Sequence, residues 1–100
     1  MTRYTIETTE TFRRWLKSLK DKRGKNAIAQ RLNRATNGNL GDHKSVGDGI
    51  SEMRVHVGAG YRLYYTLRGR EVVFLLVGGD KSNQQADIAT AKQLKKELLL

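Results

Sequence analysis

The sequence contains no cysteine, which removes disulfide frameworks, thiolate metal sites and cysteine nucleophiles from consideration. No apolar run approaches the ~18 residues of a membrane span. The opening residues Thr2, Arg3, Tyr4 and Thr5 stand where a secretory signal would place its apolar segment. The expectation is a soluble, cytoplasmic chain without membrane contact. No internal repeat, low-complexity segment or long like-charge tail interrupts it, so its charge must sit on folded elements. Acidic residues are scarce, 10 Asp and Glu against 19 Lys and Arg, for a net charge of +9 on 100 residues. Such an excess on a small surface points to a polyanion, nucleic acid or ribonucleoprotein; solubility or an acidic protein partner are the plainer readings. The length fits one domain, 1–100, because two would leave neither half a sufficient core.

Along the chain, Arg3 to Thr8 alternates with Tyr4 and Ile6 on one side, the pattern of a half-buried strand. Thr8 or Thr9 then caps a helix whose core stripe is Phe12, Trp15, Leu16 and Leu19. Asp21 caps a second helix with Ala27, Ile28, Leu32 and Ala35 inside and Lys25, Arg31 and Arg34 outside, ended by Asn37, Gly38 and Asn39. Leu40 to Gly49, rich in glycine and aspartate, reads as a loop. Ser51 to Val57 alternates Met53, Val55 and Val57 against Glu52, Arg54 and His56. Gly58, Ala59 and Gly60 turn it into Tyr61 to Arg68, with Arg62, Tyr64, Thr66 and Arg68 on the polar side. Val72 to Val77 is apolar on both sides and reads as a central strand. Ser82 with Gln85 fits a capping box for a last helix carrying Ile88, Ala91, Leu94 and Leu98. The expected class is α+β, in the order β-α-α-β-β-β-α, with a mostly antiparallel twisted sheet and helices packed on it.

His43 and His56 are the only histidines, and neither has carboxylates at metal-ligand spacing. Gly58 and Gly60 join two strands instead of opening a helix, which excludes a dinucleotide loop. Ser82 reads as a cap, not a nucleophile. What remains is a set of cations on the sheet's polar side: Arg54 and His56 on one strand, Arg62 on its hairpin neighbour, Lys81 past the following strand and Lys44 in the preceding loop. Cross-strand neighbours lie ~5 to 8 Å apart, so Arg54, His56 and Arg62 could converge on one phosphate. The alternative is a solvated basic face paired with Glu52 and Asp80. As a site, it suits metal-free cleavage of RNA, whose 2′-hydroxyl is its own nucleophile, with fixed cations stabilising the phosphorane. Histidine is a side chain suited to proton transfer, which makes His56 a candidate for it.

The segments FRRWLKSL, RLNRATNGNLGDHKSVGDGISEMRV, GAGYRLYYT and VVFLLVGGDKSNQQADIATAKQL together resemble the RelE/ParE superfamily of bacterial toxins. Within it they are most similar to the HigB-like addiction-module killer proteins of the phage-derived Gp49-like group. The resemblance covers nearly the whole chain, and its GYR and GGDKSxQ segments are specific in combination. It implies a ribosome-dependent mRNA endonuclease that needs no cofactor and no metal. The implied partners are a cognate antitoxin of helix-turn-helix type, the ribosome with its mRNA, and operator DNA bound through the toxin–antitoxin complex. Arg62 matches the arginine of the YR strand motif, Arg54 a basic residue on the preceding strand, and Lys81 a basic residue after the last strand. The assignment that follows puts Arg62 and Arg54 on the scissile phosphate, with Lys81 as electrostatic help, His56 or Asp87 for proton transfer, and Lys44 and Arg68 in contact with RNA. Asp87 and Ile88 stand where several RelE-type nucleases keep a tyrosine, and Met53 or Glu52 where some keep a lysine. The superfamily also includes ParE-type gyrase inhibitors, and a third possibility is a basic nucleic-acid-binding co-repressor without catalysis.

Overall fold

Thr9 turns the chain from its first strand into its first helix. Its Oγ1 accepts the Phe12 N–H at 3.0 Å and donates to the Leu76 carbonyl at 2.6 Å, so one hydroxyl caps helix α1 (Glu10–Ser18) and ties it to the sheet. Asp21 does the same for helix α2 (Lys22–Thr36): one carboxylate oxygen accepts the Gly24 N–H at 3.0 Å, the other the Tyr61 hydroxyl at 2.7 Å. These bonds, the Gly24 amide foremost, hold the Asp21 carboxyl below the usual aspartate range. A side chain at position 24 would run into the Tyr61 ring, which is why the first turn of α2 accepts a glycine.

The computed structural model describes residues 3–100. Its strands are β1 (Thr5–Thr8), β2 (His43–Gly47), β3 (Ile50–Val55), β4 (Tyr61–Arg68) and β5 (Val72–Asp80). A short 3-10 turn, Lys81–Asn83, leads from β5 into the last helix, α3 (Gln84–Glu97). The strands form one sheet in the order β1-β5-β4-β3-β2, with β1 parallel to β5 and every other pair antiparallel. The class is α+β, as expected, with one strand more than the periodicity indicated. Segment 40–49, expected as a loop, contains β2 at the sheet edge, where only Val46 is drawn inward. Backbone pairing to β3 makes this strand, so its side chains carry no alternation to read.

Both faces of the sheet are covered. Helices α1 and α2 lie over Met53, Val55, Leu63, Tyr65, Val73 and Leu75, adding Phe12, Ile28 and Ala35 to that core. Helix α3 lies over Ile50, Tyr64, Leu76 and Val77 and adds Ala91. Each fully buried aliphatic side chain contributes about 1.5–3 kcal/mol. A bulge between Tyr64 and Tyr65 makes Leu76 an extra residue on β5, so Leu76 and Val77 both join the α3 core. The expected polar side of β4 is therefore not open: Tyr64 and Thr66 are buried.

Two further expectations are corrected. Arg31, expected outside, is 7% exposed and donates to the carbonyls of Arg54, Leu40 and Asp42. Ser82 forms no capping box with Gln85: Asp80 caps the turn by accepting the Ser82 N–H at 2.8 Å and its hydroxyl as well. Asp80 wins because an aspartate two residues ahead closes an Asx turn within its own loop. No helix among the described residues is long and apolar enough to cross a membrane.

Candidate nucleic-acid interface

Strand register places Arg54 directly opposite Arg62, and Glu52 directly opposite Tyr64. Like charges across a ladder repel, so two facing arginines need a compensating anion. Glu52, buried at 6% exposure, supplies it to one of them by accepting from Arg54 Nε at 3.0 Å. Arg62 receives no such partner among the described residues: its Nε and Nη1 are buried and unbonded, as is the Tyr64 hydroxyl next to it on that face. Unpaired buried donors are costly, about 1–3 kcal/mol each, and call for a partner such as a water or a bound anion.

Asp87, at the start of α3, completes the cluster. It lies against Gly79, the register partner of Arg62, and any side chain at position 79 would occupy the space of its carboxylate. Burial, and secondarily the charge of Asp80, push the Asp87 carboxyl up. Burial likewise pushes the Tyr64 hydroxyl up to about 12, with the charges of Glu52 and Asp87 adding to it and Arg62 opposing. An aspartate raised on folding favours the native state below its unfolded value, and that advantage is lost as pH rises through the folded one. Asp87→Asn is therefore expected to melt higher than the native chain at neutral pH. The gap should close in acid, below the ordinary aspartate range, and melting curves at both pH values check it.

The remaining expected residues fall around this cluster or away from it. Lys44, exposed on β2, is the register partner of Glu52 and so borders the cluster. Lys81 is exposed just past β5, with its stem close against Gly60. His56 stands beyond the end of β3, its Nε2 held by Asp42 Oδ2 at 2.6 Å; this bond is the main reason the Asp42 carboxyl is lowered. Arg68 sits at the other end of β4, bonded to Glu7 at 2.9 Å and lying 5.8 Å from the Phe74 ring centre. From Arg62 to Arg68 is roughly 20 Å at the rise of a strand, so the two do not share one phosphate. Tyr64 was not among the expected site residues; its signal in the sequence is an aromatic two places from Arg62 on the side read as polar.

A family model described as phage-derived protein Gp49-like (DUF891) matches residues 14–96, from within α1 almost to the end of α3. The chain belongs to this family. The Gp49-like proteins are of RelE and addiction-module killer type. Every residue of the cluster, Glu52, Arg54, Arg62, Tyr64 and Asp87, lies inside the matched segment. A Haemophilus influenzae relative, described as an uncharacterized protein, is 50% identical over 93 residues, covering 93% of this chain and 94% of its own.

Proposed function

We propose that this Gp49-like chain is the toxin of a type II toxin–antitoxin module, HigB-like in subgroup, and that it cleaves mRNA on the ribosome. The observation that carries this reading is Arg62, a guanidinium with two buried, unbonded nitrogens, facing Arg54 across the sheet. A scissile phosphate satisfies both arginines at once. As the 2′-oxygen attacks phosphorus, negative charge grows on the non-bridging oxygens, and donors already fixed in place stabilise it without reorganisation. Asp87, beside the register partner of Arg62, accepts the 2′-hydroxyl proton. The P–O5′ bond breaks, the 5′ oxygen leaves with a proton from the acid, and a 2′,3′-cyclic phosphate remains. His56, oriented by Asp42, is the candidate for that acid. Lys44 and Lys81 extend the positive surface along the strand of RNA, and Arg68 engages it farther out.

On this reading the partners are the ribosome with its mRNA, a helix-turn-helix antitoxin, and operator DNA through the toxin–antitoxin complex, all in the cytoplasm. Inducing the protein and mapping the 5′ ends of cellular transcripts tests it. Cuts within translated codons are expected. Uncut transcripts with stalled replication would move the assignment to gyrase. No cut of message on purified ribosomes at stoichiometric protein would leave a basic co-repressor.

A further inference from the structure

The GGDKSNQ segment is not used by the phosphate cluster beyond Gly79, yet it is the most glycine-dependent part of the sheet. Neither Gly78 nor Gly79 takes a left-handed conformation. Both are glycine because of what approaches them: a side chain at 78 would overlap the Trp15 ring, and one at 79 the Asp87 carboxylate. The tryptophan and the aspartate thus close on opposite faces of the same stretch of β5.

Between them lies an open groove of about 420 Å³, whose lining includes Trp15, Gly78, Gly79, Ser82, Asn83 and Asp87. That volume is within the range of small-ligand sites. No strand covers the outer edge of β5 at this point, because β1 pairs with β5 only as far as Leu75 and the Thr9 hydroxyl takes the Leu76 carbonyl. Beyond that point β5 has a free edge, with alternate backbone groups directed away from β4. The wall carries Asn83, which occupies the N-cap position of α3 and makes no capping bond. Its amide is left to the groove.

We infer that this groove is a nucleobase subsite, taking the base next to the phosphate held by Arg62 and Arg54. The inference rests on the nuclease reading and names its specificity determinant. A half-buried indole supplies a surface for a flat ring, and base–aromatic contact is worth about tenfold or more in affinity. Gly79 and Arg62 are paired across neighbouring strands, ~4.8 Å apart, so one nucleotide spans groove and cation. The charged groups of the wall, the Asp80 and Asp87 carboxylates, are both acceptors, and the Asn83 amide can offer its oxygen beside them. They match a base with an exocyclic amino group, adenine, cytosine or guanine, and mismatch uracil, which presents carbonyls in those places.

Trp15 is the sole tryptophan, so its emission reports the groove directly. The full chain is titrated with 2′-O-methyl trinucleotides of A, C, G and U, which cannot be cleaved because the nucleophile is blocked. Saturable quenching is expected for at least one amino-bearing trimer, with binding of the uridine trimer at least ~10-fold weaker. Absent quenching, or equal quenching by all four, overturns the subsite. Asn83→Ala, at an exposed side chain without a capping bond, is expected to keep the melting temperature while narrowing that difference and flattening the base composition at mapped cut sites. Unchanged base composition in both Asn83→Ala and Trp15→Phe also overturns it. Failure of the nuclease reading shows differently, as a chain that cuts no transcript whatever its trimer preference.

Discussion

Arg62→Ala is expected to lower message cleavage by about 10²- to 10³-fold, the usual loss when one fixed donor to a developing anion is removed. The same change should leave folding nearly untouched, within about 1 kcal/mol, because no internal hydrogen bond is broken. Arg62 Nε and Nη1 have no partner among the described residues, and the facing residue is another cation, Arg54. Truncation removes two desolvated donors and one like-charge contact, offsetting the lost packing of the side-chain stem. Arg62→Lys restores the charge but not the two-pronged donor geometry, so it should recover only part of the rate. Cleavage of a ribosome-bound message and a melting curve on the same preparations measure both quantities. An Arg62→Ala protein that cuts at the native rate would sink the phosphate site.

The arginine pair was legible in the sequence because period-2 alternation alone puts Arg54 and Arg62 on the same side of their strands, and the short turn between them sets them opposite. The helix stripes and the caps at Thr9 and Asp21 were legible for the same local reason. What was not legible depends on contacts far along the chain. Alternation puts Tyr64 on the polar side, but α3, which begins twenty residues later at Gln84, covers it. The bulge that sends both Leu76 and Val77 to that helix leaves no mark in an unbroken apolar run. Arg68 shares a side with Arg62 by alternation, yet strand length separates them, so the pattern indicates a face and not a convergence. The groove at Gly78 and Gly79 was visible only as a family motif, since its Trp15 and Asp87 walls come from opposite ends of the chain.

Arg31→Ala is expected to do the reverse of Arg62→Ala, costing about 3–5 kcal/mol of stability even though Arg31 touches no part of the cleavage chemistry. Its guanidinium donates to Leu40 and Asp42 carbonyls at 3.0 Å each and to the Arg54 carbonyl, joining α2 to the chain on both sides of β2. Gly41 is left-handed at φ +67 and passes so close that a Cβ would meet that guanidinium at 2.7 Å, so the loop is folded around the charge. Removing the side chain takes a donor from the Leu40 and Arg54 carbonyls, leaves the Asp42 carbonyl only the Arg54 N–H, and opens a cavity at once. For a chain of this size each kcal/mol is worth roughly 4–8 °C, so a melting drop of at least ~12 °C is expected, and one under ~4 °C would show that water replaces the arginine freely. Hydrogen exchange should speed first in His43–Gly47, the edge strand that the freed loop precedes. Because Asp42 in that loop holds His56, and β2 carries Lys44 beside Glu52, activity should fall with the fold instead of independently of it. The two arginines thus separate by partner: the one with three carbonyls holds the sheet, and the one with none among the described residues is left for a phosphate.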